Sequence, residues 1–177
     1  LVGGGSGQSI LPANKSGTPI DNSTELGNSG FRFKDLYLSG GVYLGGTGSA
    51  NFLDDYEEET FTMSVTSGGH TLVDQSGFYT KIGRKVTVVG HLTFDPVGTS
   101  TSSVTLSGLP FTSGNLDTDI AYVGVARETV VSGDIFVAQV ARASSSFGIN
   151  SMDGVASGSN QIFVANRNIV FNITYFV

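Results

Sequence analysis

Residues 31–61 read FRFKDLYLSGGVYLGGTGSANFLDDYEEETF, a stretch of short apolar pairs, closely spaced glycines and one dense acidic run. Period-two alternation puts Phe31, Phe33 and Asp35 on one side of an extended strand and Arg32 and Lys34 on the other. Leu36, Tyr37 and Leu38 then break that order, so three apolar neighbours point both ways. A strand that is apolar on both faces needs cover on both. Gly40, Gly41, Gly45, Gly46 and Gly48 follow too closely for a helix of the same chain to supply it. Identical chains wound about a common axis would supply it, with Phe31, Phe33, Leu36, Tyr37, Leu38, Val42, Tyr43 and Leu44 as the stem contacts.

On the N-terminal side, residues 1–30 are rich in Gly, Ser, Asn and Thr, contain Pro12 and Pro19, and hold too few apolar residues to order themselves. They read as a linker or loosely wound stem. The interchain β stem is expected over 31–62, with a boundary near Met63 and a terminal domain over 63–177. The chain begins at Leu1 rather than methionine, which predicts a longer protein with its missing portion upstream.

Beyond Met63 the period changes. A strand is expected from Gly77 through Ile82, a turn at Gly83 and Arg84, and a second strand from Lys85 to Phe94 with Val86, Val88, Leu92 and Phe94 on one face. Val104 and Leu106 mark a short strand stopped by Pro110. Residues 120–127 and 134–142 give two more alternations bounded by turn formers. In the last run Ile169, Phe171, Ile173, Tyr175 and Val177 share the odd positions opposite Asn172 and Thr174, so the chain should end inside a sheet. Six to eight such strands with no helical period predict an all-β protein whose terminal domain is a β-sandwich, jelly-roll-like. Val89 and Phe176 point away from their core neighbours, as a subunit interface would explain.

Composition agrees. Among 177 residues there are 25 glycines and no tryptophan or cysteine, a strand-and-turn composition with neither disulfides nor thiolate metal sites. The length suits one ordinary domain plus an extended appendage. A net charge of −6, with nine dispersed basic residues, argues against a nucleic-acid surface. No apolar run approaches the roughly 20 residues of a membrane span, and no secretion signal opens the chain, so no membrane insertion is expected.

The chemistry-bearing residues are few. Asp54, Asp55, Glu57, Glu58 and Glu59 form the dense carboxylate cluster, but neighbours on an extended segment project to opposite sides and do not flank one glycosidic bond. Around a symmetry axis their repulsion would demand outward projection, partners such as Arg32 and Lys34, or a cation; the spacing is not that of an EF-hand. His70 in a glycine-flanked loop and His91 on the polar side of its strand have no close metal-binding companion, which predicts surface or interface histidines and no metal. No Ser-His-Asp arrangement is legible, since abundant serines create coincidences. The glycines from Gly40 to Gly48 precede no Lys-Ser or Lys-Thr, so they are not a phosphate loop. Asn14, Asn22 and Asn172 open N-x-S/T triplets without functional weight. No cofactor and no catalytic residue are expected. The loop reading left for ligand contact is 144–161, with Phe147, Asn150, Asp153 and Asn160 among small residues that suit a glycan.

The words FKDLYLSGGVYLGGTGSANFLDDYEEETFT resemble a segment that recurs in tail fibre and other virion fibre proteins of bacteriophages, just before a globular C-terminal domain. FYTKIGRKVTVVGHLTF and VTLSGLPF resemble the opening strands of the β domain that ends many of those fibres. One departure is Glu59, where glycine often precedes Thr-Phe-Thr, and it bears on the local turn alone. The resemblance implies an intertwined trimeric stem, a virion location, a receptor-binding tip and no enzyme activity. Composition alone would allow a dimer equally. The implied partners are two sibling chains, tail or capsid proteins on the N-terminal side, and a bacterial surface glycan or outer-membrane receptor. Two other roles remain open: a capsid-anchored or connecting fibre that binds virion proteins, and a tailspike polysaccharide depolymerase. The latter generally needs a long β-helix, whose repeating rungs are absent here.

Overall fold

Wherever the sequence alternates strongly, the chain is strand. The computed structural model describes residues 10–67, 69–95, 103–115, 121–130, 135–151 and 168–177. The chain divides into two units, Leu1–Gly40 and Gly41–Val177.

The described part of the first unit is built from turns. Asn14 Oδ1 accepts hydrogen bonds from the amides of Ser16 and Thr18, and Asn28 Oδ1 from those of Gly30 and Phe31. Such Asx turns organise a polar chain locally without a core.

The second unit holds eleven described strands. They are β1 (Val42–Tyr43), β2 (Phe52–Leu53), β3 (Tyr56–Phe61), β4 (Ser64–Val65), β5 (Leu72–Ile82), β6 (Lys85–Phe94), β7 (Ser103–Ser107), β8 (Tyr122–Glu128), β9 (Ile135–Val140), β10 (Ser146–Ser151) and β11 (Asn168–Phe176). One turn of 3-10 helix, Ser49–Asn51, is the only helical element among the described residues. β1 and β2 form a small antiparallel pair; the other nine form one antiparallel sheet in the order β3-β5-β6-β11-β8-β9-β10-β7-β4.

The two ends of that order, β3 and β4, are consecutive in sequence and separated by Thr62 and Met63 alone. The three residue steps from Phe61 to Ser64 span at most about 11 Å, so the sheet must curl until these edges come close. Met63 sits at the seam, buried, with its amide donating to Gln75 Oε1 at 2.5 Å and its carbonyl accepting from Gln75 Nε2 at 2.7 Å. The inward residues of the curled sheet form one core, including Val86, Val88 and Leu92 from β6, Val104 and Leu106 from β7, and Ile169, Ile173 and Tyr175 from β11. The expected all-β architecture forms, as one large curled antiparallel sheet around its core.

β6 matches its predicted span end for end, and β11, as expected, lies inside the sheet between β6 and β8. Gly83 has φ +56° at the first central position of the β5–β6 turn, the conformation a two-residue hairpin requires there. Residues 31–62, expected as one interchain element, are not one. Phe31–Gly40 belongs to the first unit, Val42–Tyr43 pairs with Phe52–Leu53, and Tyr56–Phe61 pairs with β5 as a sheet edge. Tyr56–Phe61 carries three glutamates and little apolar signal because an edge strand tolerates charge, which hides its membership of the sheet.

Candidate interaction surfaces

The eight predicted stem residues are all exposed in the single chain, from Val42 at the lower limit to Phe31 at 81% and Tyr37 at 90%. Tyr43 gains some cover from Phe52, with ring centroids 4.7 Å apart across the β1–β2 pair. Otherwise the run from Phe31 to Leu38 presents five large apolar side chains to water.

The acidic run is divided by the pleat of β3. Glu57 stands opposite Lys81 on the inward side and accepts a hydrogen bond from the Tyr79 hydroxyl, while Asp55 pairs with the Lys81 ammonium. Lys81 is nearly buried and lies 5.1 Å over the Phe111 ring, which Tyr79 meets edge-on at 5.4 Å. The bond to Glu57, with burial second, pushes the Tyr79 phenol up to about 12. On the outward side Glu58 takes a hydrogen bond from Tyr56 and raises that phenol. Asp55 and Glu57 are thus occupied by an ammonium and a phenol. Glu58 faces the other way.

His70 differs from expectation, while His91 lies on the polar side of β6 as expected. His70 is 4% exposed and packs edge-on to Phe94 at 5.8 Å, a core position rather than a surface loop. Its flanking glycines gave the loop reading, and burial came from the curl of the sheet. His91 Nδ1 lies 2.8 Å from Ser76 Oγ, and Nε2 lies 3.1 Å from Asp74 Oδ2. In the regular β5–β6 register Ser76 stands directly opposite His91, and Asp74, two residues along β5, shares their face. The histidine bond holds the Asp74 carboxyl below its ordinary value. With Asp74 70% exposed, the cluster acts as a cross-strand tie between β5 and β6. Among the described residues no three His, Asp or Glu side chains converge as a metal site.

Of the four predicted ligand residues, Phe147 is 1% exposed and stacks on Phe171 at 5.0 Å. It is core, because Ser146–Ser151 is strand β10 and not loop. The small residues around it concealed a period of two in which Phe147 and Ile149 point inward. Asn150 lies on the opposite side of β10, half-buried, opposite Val137 and Ser103. Asp153 and Asn160 lie outside the described residues.

No family model and no curated protein matches this sequence. A solved structure is similar. The bovine atadenovirus type 4 fibre head protein aligns with 66% of this chain and 97% of its own, at 10% identity and a TM-score of 0.30.

Proposed function

We propose that this chain is the distal part of a homotrimeric bacteriophage fibre, a structural and adhesive protein without enzymatic activity. Residues 31–44 wind with sibling chains, and the β domain meets a bacterial surface glycan or outer-membrane receptor. The observation that carries the reading is the exposed apolar run from Phe31 to Leu44, which lies in the segment that resembles phage fibres. Covering such side chains is worth about 25 cal/mol per Å² of apolar surface, a driving force that a solitary chain leaves unused. Attachment through three copies makes modest affinity per tip sufficient, since linked sites raise the effective concentration of each later contact. Asn150, Asp153 and Asn160 are the proposed ligand contacts. The virion is the location, with tail or capsid proteins as partners on the N-terminal side.

The test uses the purified full chain in two measurements. Sedimentation equilibrium is expected to give three times the chain mass, and fluorescent protein is expected to label permissive bacteria, with labelling reduced by Asp153→Ala combined with Asn160→Ala. A protease-resistant solitary chain overturns the fibre reading. A trimer that labels no permissive host, and is found by gold labelling at a junction inside the virion, replaces adhesion with the connecting-fibre role.

A further inference from the structure

The sequence has no cysteine, so any covalent tie within the chain must use other side chains. Lys81 and Asp55 are placed for one. Lys81 on β5 reaches across to Asp55, the residue before β3, and its ammonium is in direct contact with Asp55 Oδ2. The Lys81 side chain is 9% exposed and that of Asp55 42%. The ammonium lies 5.1 Å over the Phe111 ring, which Tyr79 meets edge-on. Glu57, opposite Lys81 in register, holds the Tyr79 hydroxyl and completes the enclosure. The main chain is fixed on both sides. The Gly83 amide donates to the Asp55 carbonyl at 2.7 Å, and β3 pairs with β5 from Tyr56 opposite Ile82 to Phe61 opposite Gly77. Amine and carboxyl are thus held together by strands, the lysine end packed among aromatic rings and the carboxyl end reached by water.

We propose that Lys81 and Asp55 condense to an isopeptide bond, an intramolecular modification site that staples β3 to β5. Nζ forms a bond to Asp55 Cγ, one Cγ–Oδ bond breaks, and the oxygen leaves as water with two protons from the ammonium. Ammonium and carboxylate become a neutral amide, so atoms, electrons and charge balance without an oxidant, a nucleotide or any other co-reactant. Contact between the reacting groups replaces the concentration and alignment that amide formation needs between separate molecules. An ion pair whose cationic end is out of water bears a desolvation cost that a neutral amide does not. The open side of Asp55 gives the released water a way out. Among the described residues β3 pairs with β5 alone, as an edge strand, and a bond at its first residues fixes the end at which it would fray. Tension arriving along the chain from residues 1–54 reaches Asp55 before it reaches β3, and the bond passes that load to β5 instead of peeling the edge.

The intact mass of the purified full chain, measured after denaturation, tests the bond. Wild type is expected at one water below its sequence mass. Proteolysis is expected to yield a branched peptide that joins the segments holding Asp55 and Lys81, 26 residues apart. Lys81→Arg keeps a cation without an amine that condenses, and Asp55→Ala removes the carboxyl; both are expected at their full sequence masses. The wild-type measurement decides whether or not either variant folds. Wild type at its full sequence mass, unchanged after prolonged incubation of the folded chain, reduces the pair to a salt bridge and overturns the proposal. A water loss that persists in K81R belongs to a succinimide elsewhere in the chain and overturns it equally, as does a branched peptide through any other lysine. The bond is read on the chain whether it sediments as monomer or trimer. A monomer that carries it therefore overturns the homotrimer and leaves this modification standing.

Discussion

At the scale of single residues, the two tyrosines Tyr79 and Tyr175 connect packing to pH. Tyr175 is fully buried, its hydroxyl donates to the Phe111 carbonyl at 3.1 Å, and burial pushes its phenol up to about 12. Tyr79 reaches about 12 through its bond to Glu57. An unfolded tyrosine loses its proton near pH 10, whereas these two keep theirs to about 12 in the folded chain. Between those values the unfolded state binds fewer protons, so stability is full below about pH 10 and falls as pH rises toward 12. Urea unfolding at several pH values across that window is expected to show the decline. Tyr175→Phe should flatten part of it while costing about 1 kcal/mol at neutral pH, the worth of one hydrogen bond. An unchanged alkaline slope in Y175F would remove the buried phenol as its source.

At the scale of elements, closure of the sheet depends on how β3 hands over to β4. Gln75 on β5 holds both main-chain groups of Met63, the residue between the two sheet edges. Without that carboxamide, a buried amide and a buried carbonyl lose their partner. Gln75→Ala is therefore expected to destabilise the domain by about 2 kcal/mol, read as a lower urea midpoint. Hydrogen exchange should rise first in β3 and β4, the strands nearest the seam. A loss within a few tenths of a kcal/mol would mean that packing of Met63 closes the sheet alone. No sequence signal marks Gln75 for this task, since its partner lies on the main chain 12 residues away.

At the scale of the whole molecule, two sets of apolar side chains are exposed: those of residues 31–44 and those on the outward face of the β domain. They belong to different stretches of the chain, so substitutions separate their contributions. Leu36→Asp combined with Leu38→Asp, both at exposed positions, is expected to lower the midpoint at which the proposed trimer dissociates in denaturant. The β domain's own unfolding transition should stay in place, because neither residue enters its core. Coincident shifts of both transitions would tie the run to the core of the β domain and not to sibling chains. The apolar and glycine pattern of the sequence places every stem contact in one element. The folded chain instead gives Val42 and Tyr43 intrachain partners and leaves the Phe31–Leu38 run exposed.

By itself the sequence determined the strands whose alternation is strong, β6 and β11 above all, because a period of two with one apolar face admits a single arrangement. It also determined the all-β class, through glycine-rich turns and the absence of any helical period. Only the tertiary structure decided that Tyr56–Phe61 is a sheet edge, that Phe147 and His70 are core, and that Ser76, His91 and Asp74 align. The reasons differ. The edge strand and the two core residues depend on how the whole sheet closes, which the local pattern of side chains does not fix, whereas Ser76, His91 and Asp74 meet through the exact register of the β5–β6 hairpin.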